Sequence, residues 1–230
     1  MEALILYLVL FFPGILGVLS WFSSDWLAQG MEAAQTLPFS IFRELGRTLT
    51  YTLPAIALLL FLISRGEGRQ TVPGKKSFSS LKKVTPNKRD ILPFLIGLPV
   101  LIIIGLFISF IMTRFVTVTP PPGIEGPYNF WGWLVVVLAC LGTGYLEELY
   151  FRQYLLSRME PAIPRTAVRV LFSTALFALC HIHYGPWGVL NAAIAGLFLS
   201  ALFLKFRSLH GVALAHAGYN MFVYFMGTVG

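Results

Sequence analysis

Residues Phe130–Arg152 read FWGWLVVVLACLGTGYLEELYFR, and this stretch decides what kind of molecule the chain is. Phe130 to Leu146 carry no charge, and then Glu147, Glu148 and Arg152 arrive within six residues. An ionisable side chain at membrane depth costs roughly 2.5–3.5 kcal/mol on insertion scales. Three so close together must face one another, a cavity or a substrate. On a helix, Glu148 and Arg152 stand at i and i+4, where opposite charges meet on one face. Glu147 points about 100° away and is not the natural partner of Arg152. One carboxylate is neutralised and the other left free, which is the asymmetry a catalytic base requires.

The surroundings agree with a membrane setting. Of 230 residues, 57% are hydrophobic and 12% charged, against about 25% charged in soluble domains. Apolar runs near 20 residues recur, so the expected fold is all-α: a polytopic integral membrane protein of about seven transmembrane helices, with its active site inside the helix bundle. The predicted segments are Ala3–Phe22, Thr48–Ser64, Ile91–Phe115, Phe130–Phe151, Ala167–His181, Trp187–Leu204 and Leu209–Met226. Residues 1–115 supply N-terminal helices with a basic loop at 65–89, and 116–230 the catalytic core, as one continuous membrane domain. The first run lacks a basic n-region and a small-residue cleavage site, so it reads as a retained span and not a signal peptide. Ser23 to Arg47 mixes Trp26, Met31, Phe39 and Phe42 with polar residues and suits an interfacial amphipathic helix. The proline-rich Val116–Asn129 reads as a stiff loop.

The net charge of +7 does not point to nucleic acid, because eight of the seventeen Lys and Arg residues fall between Arg65 and Arg89. Beside apolar helices such clustering is the positive-inside signal, with membrane lipid as a partner. Placing that loop in the cytoplasm puts Arg152–Arg169 and Lys205–Arg207 there too, leaving only Arg43, Arg47 and Arg114 opposite. The expectation is a multi-pass protein of a prokaryotic inner membrane, N-terminus cytoplasmic and C-terminus on the far side. Cys140 and Cys180 fall in predicted spans and read as small apolar residues. Ala192, Gly196 and Ser200, four apart, form a stripe for close helix packing.

Further polar residues join the glutamates from other helices. His181 ends the fifth segment, and His216 and Asn220 share a face of the seventh; His183 and His210 lie nearer segment ends. Two carboxylates, one Arg, two His and one Asn on three helices resemble a hydrolytic centre. Peptide hydrolysis needs a base to activate water, donors for the oxyanion and an acid for the leaving amine. Glu147 suits the base, and His181 can share or position the water. His216 and Asn220 are oxyanion donors, while Glu148 with Arg152 locks the helix. Zinc is the alternative for two His and a Glu, but H-E-x-x-H is absent, so no cofactor is expected. A transporter would show inverted repeats and paired helix breaks, and none is visible.

Glu147-Glu148-x-x-x-Arg152, Phe177-x-x-x-His181 and His216-x-x-x-Asn220, in this order, resemble the three motifs of the CPBP family. That family holds type II CAAX prenyl endopeptidases, bacteriocin-processing and immunity proteins and related glutamic-type intramembrane proteases. The resemblance spans roughly Phe130 to Met226, and the first hundred residues carry no motif. It implies a multi-helix intramembrane fold and peptidase activity, with catalytic roles for Glu147, His181, His216 and Asn220 and support from Glu148 and Arg152. Implied substrates are prenylated proteins cut near the C-terminus, peptide precursors, or C-terminal sorting segments. Some relatives are non-catalytic scaffolds or regulators, which is the alternative function.

Overall fold

The computed structural model describes residues 2–11, 39–66, 86–115 and 125–229. Seven helices make up the described chain, with no strand among the described residues. They are α1 (Glu2–Phe11), α2 (Ile41–Arg65), α3 (Ile91–Phe115), α4 (Phe130–Arg158), α5 (Thr166–Leu179), α6 (Gly185–Phe206) and α7 (Leu209–Val229). Four of them, α2, α3, α4 and α6, are long and apolar enough to cross a membrane. The chain is a polytopic α-helical membrane protein. Leu4, Ile5, Phe61, Ile103, Phe107 and Leu171 are exposed, as they would be against lipid and not water.

Several predicted boundaries move. The second span begins at Ile41, so Ile41–Arg47 continues into α2 and is not part of a separate interfacial helix. Residues 23–38 of that expected helix, residues 67–85 of the basic loop at 65–89 and most of the proline-rich loop lie outside the described residues, as do residues 12–22 of the first span. Asn129 caps α4 by accepting from Gly132 N at 2.7 Å. The predicted fifth helix stops two residues short, at Leu179, and His181 stands in the turn beyond it.

Two helices widen into π-turns. In α2 the π-turn covers Thr48–Thr52, just before Pro54. Proline has no N–H to close the preceding turn and its ring crowds the carbonyl four residues back, so the backbone opens. In α4 the π-turn covers Leu149–Leu155 and includes Arg152, where the sequence reading assumed a regular α-helix. No Pro or Gly lies there; the widened turn is held from α5. Ser173 Oγ donates to Phe151 O at 2.9 Å and Arg169 Nη1 to Leu156 O at 3.1 Å. All seven residues of this π-turn are buried. A membrane helix normally leaves one side to lipid, and here α1 covers that side with Leu6, Tyr7, Leu10 and Phe11.

α6 and α7 are joined by Arg207 and Ser208 alone. Arg207 takes a left-handed backbone (φ 53°), the usual way to end a helix abruptly. Ser208 Oγ then accepts from Gly211 N at 2.9 Å and donates to the buried Asp90 carboxylate at the start of α3.

Candidate active site

Close approach of α4 and α7 builds the site. Gly144 makes it possible: a Cβ there would stand 2.8 Å from Ala213 O and 3.0 Å from Ala217 N. With the backbones so near, Glu147 and Glu148, one turn on, reach His216. Glu148 Oε1 accepts from Arg152 Nη1 at 3.0 Å and meets His216 Nδ1 at 2.8 Å. The Glu148 side chain is fully buried and Arg152 is 1% exposed. On the other edge of the imidazole, His216 Nε2 is 3.7 Å from Glu147 Oε2. Glu147 is the more open of the two carboxylates, at 13% exposed.

The sequence reading paired Glu148 with Arg152 alone and gave His216 to the oxyanion. In the structure the ion pair forms, but Glu148 is shared, and His216 bridges the two glutamates. A carboxylate on Nδ1 fixes which imidazole nitrogen faces the open side of the site. The guanidinium is held from α6 as well, since Arg152 Nη2 donates to Gly196 O at 3.3 Å. Gly196 permits this, because a Cβ there would crowd Phe177 at 3.0 Å. The small-residue stripe read as packing therefore also supplies a carbonyl to Arg152.

Phe177 stands at the centre of the rings. Its centroid is 4.8 Å from His181 and 5.8 Å from His216, and the Arg152 guanidinium lies over it at 4.5 Å. A cation over an aromatic face in a desolvated site is attractive. His181 itself is half-buried, and its Nδ1 is 2.9 Å from Phe177 O. It thus meets His216 across a phenyl ring and not directly. Asn220 lies one turn beyond His216, half-buried, and no hydrogen bond among the described residues joins it to the cluster. Of the six predicted residues, Arg152, Glu148, His216 and Glu147 are linked in that order, each to the next, and His181 and Asn220 flank them. Gly144 was not singled out, Gly196 was read only as part of a packing stripe, and Phe177 only as a motif position before His181.

The other two histidines stand apart. His183 is exposed, its ring 4.0 Å from Tyr184, and His210 is buried, its Nδ1 2.8 Å from Tyr145 Oη. In the turn before α6, burial raises the Tyr184 phenol above its ordinary range; Arg47 opposes this, while Glu147 and Glu44 add to it. Nδ1 of His216 is engaged by Glu148 and that of His181 lies against Phe177 O, which leaves Nε2 as the outward nitrogen of each ring, with Phe177 packed against both. No group of three His, Cys, Asp or Glu side chains among the described residues is arranged to hold a metal.

A bundle that buries two carboxylates, a guanidinium and an imidazole between apolar helices defines a class: membrane proteins with a polar, reactive interior. Within that class, residues 128–222 match the family model described as type II CAAX prenyl endopeptidase Rce1-like, which supports the likeness to the CPBP proteases. The match takes in α4 to most of α7 and all three motifs. Among curated proteins and solved structures, nothing matches. At the level of the family, that likeness implies protease activity on peptide or protein substrates in a membrane setting.

Proposed function

We propose that this chain is an intramembrane endopeptidase that hydrolyses a peptide bond with a water activated by Glu147. The observation that carries the reading is the position of His216 between the two glutamates, Nδ1 on Glu148 and Nε2 facing Glu147. Two carboxylates against one guanidinium leave a negative charge uncompensated in an apolar bundle. His216 is placed to balance it by holding a proton, so Glu147 and His216 form a two-site proton store. Glu147 takes a proton from water as the oxygen attacks the carbonyl carbon. The C–N bond breaks as that proton passes to the leaving amine, and acid and amine products result. Glu148 and Arg152 hold His216 in register, while His181 and Asn220 flank the developing oxyanion.

The proposed substrate is a membrane-anchored protein or peptide precursor cut near its C-terminus, prenylated or carrying a sorting segment. With the ends of α4 and α6 that bear Arg158 and Lys205 in the cytoplasm, the N-terminus is cytoplasmic and the C-terminus opposite, in a prokaryotic inner membrane.

The test is cleavage of quenched C-terminal lipopeptides, prenylated and unprenylated, by purified protein in liposomes. Wild type should cut, Glu147→Gln and Glu147→Ala should not, and a strong chelator should leave the rate unchanged. Loss to chelator with recovery on zinc would replace the glutamate mechanism. Cleavage by Glu147→Gln at the wild-type rate would remove Glu147 from the chemistry, and a silent wild type would favour a scaffold.

A further inference from the structure

The N-terminal helix α1 lies outside the matched segment, yet it touches the turn that carries His181. Tyr7, 4% exposed, donates from its hydroxyl to Leu176 O at 2.9 Å, and Cys180 Sγ lies 3.6 Å from the same hydroxyl. Leu176 immediately precedes Phe177, and Cys180 immediately precedes His181. These groups belong to the last turn of α5, where Leu176 O also accepts from Cys180 Sγ at 3.3 Å and Tyr7 adds a donor from another helix. The backbone's own bond there is long, 3.3 Å from Cys180 N to Leu176 O.

α1 is itself pinned. Tyr154 Oη donates to Glu2 Oε1 at 2.9 Å, with Arg158 Nη2 3.6 Å from the same oxygen. Tyr150 Oη donates to Ala3 O at 2.6 Å, and Tyr51 donates to Leu10 O near the other end. The Tyr7 ring sits 6.3 Å from both Tyr150 and Phe151 in the π-turn. The hydroxyl of Tyr7 therefore has a fixed origin, and it ties the end of α5 to the helix that carries the glutamates.

We propose that Tyr7 is a positioning residue for His181, stapling the final turn of α5 so that the imidazole stands against Phe177 opposite His216. This rests on the peptidase reading. The staple transmits through Leu176 O and the Cys180 backbone, so losing one hydroxyl should let the turn open and His181 drift. α1 is then part of the site's machinery and not merely a membrane anchor.

The experiment uses the full chain with Cys140→Ala, which leaves Cys180 as the single thiol. Tyr7→Phe removes the hydroxyl and keeps the ring; Leu6→Ala, on the same buried face, serves as a packing control. Maleimide labelling of Cys180 and peptide cleavage are measured on each. Tyr7→Phe should label faster and lose about tenfold in kcat, the scale of one hydrogen bond, with KM unchanged. Leu6→Ala should lower the Tm and leave kcat of the folded fraction intact. Unchanged labelling in Tyr7→Phe would show there is no staple. Faster labelling with unchanged kcat would overturn the positioning role. If the wild type cuts no peptide while labelling still responds, the peptidase reading falls and only a clamp remains.

Discussion

α3 and α4 are both long apolar helices, and they have opposite lives in the molecule. α3 has one ionisable residue, Arg114, close to its end, and along it only Pro93, Gly97, Leu101 and Ile108 are buried. α4 carries Glu147, Glu148, Arg152 and Arg158, and every residue from Glu148 to Leu156 is buried. The helix that announces a membrane most plainly sits at the edge with Ile103, Phe107 and Phe110 exposed. The helix that looks least suited to lipid is surrounded by α1, α2, α5, α6 and α7. In lipid, apolarity gives no reason to be inside, whereas a buried ion pair can exist nowhere else.

Substitutions on the two helices should therefore separate by orders of magnitude. Glu147→Gln should lower the cleavage rate by about 10²- to 10⁴-fold, the usual share of a general base, with the melting temperature unchanged; steady-state rates and thermal melts in detergent report both. Arg152→Met should act on stability first. It strands Glu148 and removes the cation over Phe177, and breaking a buried pair costs about 3–5 kcal/mol, readable from denaturant midpoints. Gly144→Val should cost about 1–3 kcal/mol through overpacking and pull His216 away from the glutamates, so activity should fall even where the protein stays folded. Ile103→Ala on α3 should stay within about 0.5 kcal/mol and keep full turnover. If Ile103→Ala proved as damaging as Arg152→Met, the contrast between the helices would collapse.

Much of this was legible in the residues. Charge and hydropathy were enough for an all-helical membrane protein, and the spacing of Glu148 and Arg152 gave their ion pair. What stayed hidden had physical reasons. Spacing along one helix says nothing about which neighbour shares a carboxylate, so the bond from His216 to Glu148 could not be read. The π-turn at Leu149–Leu155 has no proline to announce it, because its support comes from Ser173 and Arg169 on another helix. Tyr7 was not singled out, since its partners are a main-chain carbonyl and a thiol 169 and 173 residues away. His181 was placed correctly near a helix end, but the ring between it and His216 belongs to tertiary packing.

The two-residue joint between α6 and α7 bears on how the protein is made. α7 holds His210, His216 and Asn220 and is not among the helices apolar enough to cross alone. Its tight link at Arg207 and Ser208 lets it enter lipid as the second limb of a hairpin with α6, which can carry it in. During synthesis Glu148 reaches the membrane 68 residues ahead of its imidazole partner. Each nascent chain passes through a period with its glutamates in place and no His216 beside them. On the chemistry proposed, a chain whose α7 has not yet come to lie beside α4 is inert.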